Sequence, residues 1–252
     1  MMTSSVIAHS VLSSRVAELT QQPISAVLFD LDGTLIDSVP DLAAAVDIML
    51  QSLGKEPAGE VKVNRWVGNG AAALVKRALA DRDDGDELHQ VRYPNEQHDE
   101  EYASAYAIFE RAYAQRLTTA TGLYDGVLSV LSELKSANIK LGLITNKPRQ
   151  FTLPLLKALN IADYFADVLC GDDLEFKKPH PLPVLTALEN LAVTAPQAIM
   201  VGDSISDIKS AMAAGVKTVA VTYGYNHGIS ITDARNECQA DMTIDKMQQL
   251  LN

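Results

Sequence analysis

The chain has 252 residues, 47% hydrophobic and 21% charged, enough for one large domain or two smaller ones around a substantial core. Its formal charge of −11 argues against a general affinity for nucleic acid or anionic membrane, so an anionic ligand has to be met locally by a metal ion, a lysine or backbone N–H groups. Cys170 and Cys238 form neither a disulfide framework nor a metal-ligand spacing, no basic and apolar leader opens the chain, and no stretch approaches the ~20 apolar residues of a bilayer span, so a reducing cytoplasm is the expected setting.

The first 22 residues read as an extension, loose or helical, with no function attached. AVLF (26–29) then reads as a buried strand that stops on LFDLDGTLIDS (28–38). Asp30 and Asp32 flank Leu31, so a strand places both carboxylates on one face at its carboxyl end. Such a pair repels unless a cation or a reacting group sits between its members. Gly33 permits a tight turn before Thr34, and the N–H groups of such a turn can cradle a phosphate. The plain alternative is a D-G turn that only ends a strand.

No strand pattern appears from 38 to about 121. PDLAAAVDIMLQSL (40–53) puts Leu42, Ala45, Val46, Met49, Leu50 and Leu53 at helical steps, and AAALVKRALA (71–80) is a second helix. EYASAYAIFERAYAQRL (101–117) aligns Tyr102, Tyr106, Phe109 and Tyr113 in one stripe, read as packing between helices ahead of a stacking surface. Between these helices the charged, non-periodic stretch 81–102 reads as a solvated loop. Residues 38–122 are therefore expected to be an all-helical insertion.

From residue 123 onward, KLGLIT (140–145), DVLC (167–170), AIMV (198–201) and KTVAVT (217–222) alternate with helical patterns. Alternation of this kind predicts right-handed crossovers and a mostly parallel sheet, with ligands at the carboxyl ends of its strands. The expected core is thus an α/β Rossmann-like sheet built from 23–37 and 123–252. Asn146 in TNKP (145–148) reads as a helix N-cap, with the proline in the first turn and the Thr145 hydroxyl beside an anion-binding helix start. In KKPHP (177–181), Pro179 restricts Lys178 to an extended backbone; Lys177 reads as solvated and His180 as structural. Asp203 ends the run AIMVG as a candidate metal ligand. Asp207 stands at capping-box spacing from Ser204, and a capping role and a site role both remain open for it.

In this order and at successive strand ends, DLDGTLIDS, ITNK, KKPHP and GDSISD resemble the four motifs of the haloacid-dehalogenase-like hydrolases, over nearly the whole chain from residue 25. Within that superfamily, PDLAAAVDIML, WVGNGAAALVKRAL and TYGYNHG are similar to the bacterial enzymes that hydrolyse 2-phosphoglycolate. The resemblance implies a helical cap over the sheet domain, hinged near 37–40 and 121–125. It implies Mg²⁺ held by the carboxylates of Asp30 and Asp203 and the backbone carbonyl of Asp32, with Asp207 behind them. Asp30 would be the nucleophile that forms an aspartyl-phosphate, and Asp32 the acid and base. Thr145 and Asn146, with the turn at Gly33 and Thr34, would hold phosphoryl oxygens, and Lys178 would balance charge. The cap loop VGNG (67–70) would present Gly68, Asn69 and Gly70 to the substrate. Arg65 and Lys76 either meet a substrate carboxylate or are ordinary helix-surface charges.

The implied partner is a small phosphorylated metabolite, without nucleic acid or membrane, bound by a monomer or homodimer. Hydrolysis of a sugar phosphate, a nucleotide or pyrophosphate is the alternative, with a phosphomutase and a non-catalytic binding protein behind it. Asp32 argues against a dehalogenase, which does not need a second carboxylate at that spacing.

Overall fold

The computed structural model describes residues 11–82 and 100–251. Six parallel strands form one sheet in the order β5-β4-β1-β6-β7-β8. They are β1 (Ala26–Phe29), β4 (Lys140–Ile144), β5 (Asp167–Leu169), β6 (Ala198–Gly202), β7 (Lys217–Val221) and β8 (Met242–Ile244). β1 and β6 are buried throughout, as near-continuous apolar runs should be when helices cover both faces. Side chains alternate accordingly. Val27 and Phe29 enter the cluster that holds Val130 and Leu131, while Ala26 and Leu28 enter the opposite cluster with Val184 and Leu188.

The order places a topological switch at β1. The chain leaves it toward β4 and β5 on one side and toward β6, β7 and β8 on the other. Phe29 aligns with both Leu143 and Val201, so three strand ends converge on one crevice, where ligands of such sheets bind. β8 is a strand that the sequence pattern did not reveal. The short helix α1 (Ser14–Ala17) packs Val16 and the preceding Leu12 into the core, and the Ser13 N–H donates to the Leu250 carbonyl over 2.9 Å.

The helical insertion leaves and re-enters the core through β2 (Ile36–Asp37) and β3 (Gly122–Leu123), which pair antiparallel. Asp41 ties this junction together, one carboxylate oxygen accepting from the N–H groups of Ala120 at 2.9 Å and Thr121 at 2.7 Å. Between the two strands lie α2 (Val39–Ser52), α3 (Gly59–Trp66), α4 (Ala71–Ala80) and α5 (Glu100–Ala114), packed around Val46, Met49, Trp66, Leu74 and Phe109. α3 was not expected, since it buries only Val63 and Trp66 and leaves its third apolar side chain, Val61, exposed. Tyr102, Phe109 and Tyr113 are buried along α5, in keeping with packing between helices. The stretch expected to be a solvated loop falls, over 83–99, outside the described residues.

Among the described residues, the sheet domain also carries the α-helices α6 (Val127–Ser136), α7 (Arg149–Ala158), α8 (Leu182–Asn190) and α9 (Ile205–Ala213). α7 corrects one expectation. It starts after Pro148, which itself takes the N-cap position, so Asn146 caps nothing. Among the described residues, no helix is long and apolar enough to cross a membrane.

Candidate active site

Asp30 lies immediately past β1, with its N–H bonded to the Val201 carbonyl of β6 over 3.0 Å. One of its carboxylate oxygens accepts from Lys178 Nζ over 2.6 Å. Among the described residues the other oxygen has no hydrogen-bond partner, and the residue lines a cavity between sheet and cap. Lys178 is 3% exposed and uses all three donors, on Asp30, on Asp207 at 2.7 Å and on the Ile144 carbonyl at 2.5 Å. Burial works against its charge, but Asp207 and Asp30 more than offset this and hold the ammonium firmly protonated.

Asp203 ends β6. Its oxygens accept from the Thr34 hydroxyl and from the Tyr225 N–H, each over 2.8 Å. Gly33 packs against it with φ +88°, and a Cβ there would stand 2.3 Å from an Asp203 oxygen. The Gly33 N–H donates to the Ile36 carbonyl and the Thr34 N–H to the Leu31 carbonyl. Gly33 and Thr34 thus shape the Asp203 side of the site, and their N–H groups are committed within the turn; those of Leu31 and Asp32 carry no hydrogen bond among the described residues. Asp207 caps its helix and also contacts Lys178. One oxygen accepts from Lys178, and the other closes the capping box with the Ser204 N–H and hydroxyl.

Asp30, Asp203 and Asp207 each bring a carboxylate oxygen within 4.8 Å of the others. Burial and the neighbouring carboxylates push Asp30 well above the ordinary carboxylate range, and burial and then Asp207 raise Asp203 to about 7. Three buried carboxylates against one ammonium leave an excess of negative charge, and the donor set is all oxygen. Both features fit a hard divalent cation such as Mg²⁺. Asp30 and Asp203 suit it as carboxylate ligands, because both oxygens of Asp207 already hold Lys178 and Ser204.

Asp32 points the other way. One oxygen accepts from the Ser38 hydroxyl at 2.6 Å and from Lys147 Nζ at 2.8 Å, and the residue lines the cavity. Thr145 lines it too. Its hydroxyl oxygen accepts from the Lys147 N–H over 3.1 Å, which leaves the hydroxyl proton for a ligand. The Asn146 side chain donates to the Gly68 carbonyl at 3.1 Å and to the Lys178 carbonyl at 3.0 Å. It ties the cap loop to the loop that carries Lys178, and its amide donors are not available to a phosphate.

Gly68 and Gly70 line the cavity, whereas Asn69 does not. The Asn69 side chain accepts from Arg77 at 2.7 Å and its carbonyl accepts from Lys177 at 2.8 Å, so it braces the loop and does not face a ligand. Lys177, read as solvated, therefore reaches the cap. Gly70 has φ +88°, and a Cβ there would meet the Asn146 carbonyl at 2.8 Å. Arg65 borders a separate surface groove, and Lys76 stands over the Tyr102 ring at 5.6 Å; neither lines the cavity.

Sequence reasoning missed Lys147, Tyr113, Ser38 and Arg77. Arg77 had a signal, since it falls in the buried stripe with Leu74 and Ala78. Lys147 had none beyond its place after Thr145, because its partner Asp32 is 115 residues away in sequence.

The comparisons with known proteins agree with this geometry. A model of the haloacid dehalogenase-like hydrolase family matches residues 27–221. The chain is 44% identical to a phosphoglycolate phosphatase of Nitrosococcus oceani, covering 93% of this chain and 97% of the relative. It is 41% identical to that of Escherichia coli, covering 91% and 92%. A crystal structure of a predicted phosphoglycolate phosphatase from Haemophilus somnus superposes with a TM-score of 0.77 at 33% identity, covering 88% of this chain and 94% of the other. Matched along most of its length and built around the same strand-end aspartates that raised the resemblance, the chain belongs to the haloacid dehalogenase-like hydrolase family.

Proposed function

We propose that the protein is a phosphomonoester hydrolase that converts 2-phosphoglycolate to glycolate and phosphate, using Mg²⁺. The observation that carries this reading is the division of labour between Asp30 and Asp32. Asp30 has one oxygen fixed by Lys178 and the other open to the cavity. Asp32 faces the same cavity from beside the cap. Names of relatives at 41–44% identity over most of the chain support the choice of substrate.

Asp30 attacks phosphorus, and the phosphoryl group passes to its carboxylate as the alkoxide leaves. Asp32 protonates that alkoxide and then takes a proton from the water that cleaves the aspartyl-phosphate. The Thr145 hydroxyl and the Leu31 and Asp32 N–H groups hold phosphoryl oxygens, while Lys178 keeps Asp30 oriented and its charge balanced. Asp30 and Asp203, with the Asp32 carbonyl, would hold Mg²⁺, which would supply neutralisation of the negative charge gathered at the site. On the cap side the cavity shared by Asp30 and Asp32 is lined by Leu42, Val67, Leu74 and Phe109.

The test is Mg²⁺-dependent phosphate release from 2-phosphoglycolate, sugar phosphates, nucleotides and pyrophosphate, compared by kcat/KM. A preference for 2-phosphoglycolate of at least about a hundredfold is expected. Equal or better turnover of a sugar phosphate would overturn the substrate assignment, and no phosphate release from any of them would overturn hydrolysis.

A further inference from the structure

A dianionic phosphate entering this site meets Lys178 and the proposed metal, but a leaving group that carries its own carboxylate needs a second cation. The protein's overall charge of −11 offers no general help. Among the described residues that line the cavity, the cation is Lys147. Its side chain is 4% exposed, and its ammonium donates to Asp32 at 2.8 Å and lies close to the Tyr113 hydroxyl. Its ammonium stands 4.9 Å from the centre of the Tyr113 ring. An ammonium has three donors, so acceptor demand remains after the bond to Asp32.

Tyr113 adds an independent observation. It is 1% exposed and lines the cavity, and among the described residues no acceptor takes its hydroxyl proton, the neighbouring Lys147 ammonium being a donor. A buried hydroxyl left in this state costs stability unless something else completes it. Burial, and after it the nearby Asp32 carboxylate, pushes the phenol up to about 12 against the pull of Lys147, so the group stays a donor at neutral pH. Most other lining side chains on the cap side, among them Leu42, Leu74 and Phe109, are apolar.

We infer that Lys147 and Tyr113 form a subsite for the carboxylate of an acidic leaving group. The inference rests on the hydrolase reading above and deepens it. Geometry gives the reason. Asp32 protonates the leaving oxygen, and Lys147 sits one hydrogen bond beyond Asp32. In a phosphorylated 2-hydroxy acid the carboxylate is borne by the carbon next to the leaving oxygen. It therefore falls beside the group that protonates that oxygen, which is where this structure keeps a buried ammonium. Arg65 and Lys76, the two cap cations weighed from the sequence for a substrate carboxylate, do not line the cavity.

The experiment is a ratio. kcat/KM is measured for 2-phosphoglycolate and for ethyl phosphate, which has the same carbon count and no carboxylate, in wild type, Lys147→Met and Lys147→Arg. Wild type should favour 2-phosphoglycolate, and Lys147→Met should lower that preference by about 10- to 100-fold, the worth of a hydrogen bond to a charged group. Lys147→Arg should recover part of it. Turnover of ethyl phosphate also falls in Lys147→Met, because Asp32 loses a partner, but by less.

If both substrates lose activity in the same proportion, Lys147 serves Asp32 alone and the subsite is refuted while the substrate assignment stands. If wild type shows no preference, the substrate assignment fails and the subsite with it. Tyr113→Phe keeps the ring beneath the ammonium and gives the same ratio should Lys147→Met be inactive on both compounds. A several-fold drop in preference supports the subsite, and an unchanged ratio overturns it.

Discussion

Tyr225 donates its backbone N–H to Asp203 over 2.8 Å and its hydroxyl to Asp37 over the same distance. The hydroxyl oxygen also accepts from the Ser38 N–H at 2.8 Å. One residue thus fastens a candidate metal ligand to the strand through which the chain enters the cap. Tyr225→Phe removes only the second attachment and leaves Ser38 with a buried, unanswered N–H. The variant should be less stable by about 1–3 kcal/mol in urea unfolding. Its half-activating Mg²⁺ concentration should stay within about twofold of wild type, because the backbone bond to Asp203 survives. A stability equal to wild type would mean that Ser38 finds another acceptor.

Asp30→Asn should abolish turnover, with phosphate release down by at least about a thousandfold. Folding should not suffer. Burial and two neighbouring carboxylates disfavour the Asp30 anion, so a neutral isostere relieves repulsion when no cation is bound. A melting temperature at or above that of wild type in chelator is the expected companion result. Substantial metal-dependent activity in this variant would remove Asp30 as nucleophile.

Gly33→Ala tests the close packing against Asp203. A methyl group there would lie 2.3 Å from a carboxylate oxygen, on a backbone with φ +88° that alanine resists. The variant should lose about 1–3 kcal/mol of stability. It should also need several times more Mg²⁺ for half activity, read from a titration of phosphate release. Unchanged Mg²⁺ dependence would separate the turn from the metal site.

The Arg149–Asp173 pair gives a pH dependence away from the chemistry. Partial burial pushes the Asp173 carboxyl up, but the Arg149 guanidinium and the Cys170 N–H outweigh it and hold the group below its ordinary value. The folded protein therefore takes up this proton less readily than the unfolded chain. The stabilisation is complete above about pH 4 and is lost as pH falls through the folded value. Arg149 is 42% exposed, so the whole effect is at most about 1 kcal/mol. Asp173→Asn should be less stable than wild type at pH 7, with the gap closing in urea unfolding curves run toward pH 3. A gap that stays constant with pH would assign the loss to packing instead.

The sheet and its catalytic edge were legible because the strands that carry them are apolar runs cut off by charge. AVLF ends at Asp30 and AIMVG ends at Asp203, and the structure sets those ends side by side. β8 was not legible, since three residues with only Met242 and Ile244 buried leave no period to detect. α3 failed for a related reason, with two buried positions in eight residues. Asn146 was misread because a polar residue before a helix is usually a cap, whereas here Pro148 takes that position and the amide is drawn to carbonyls of two other loops. Lys147 was given no role. Only the folding of residue 32 against residue 147 gives it a role, and no local pattern encodes such a contact.

The chain crosses between sheet and cap at a single doorway, where Ile36–Asp37 and Gly122–Leu123 run side by side and Asp41 pins them. Everything between these strands can therefore be exchanged as a unit. A different helical insert, spliced at the same pair of strands, would leave the sheet's order and its aspartates wired as they are. The aspartates at the strand ends and the helices that cover them are thereby inherited on separate stretches of sequence, and one can change while the other is kept.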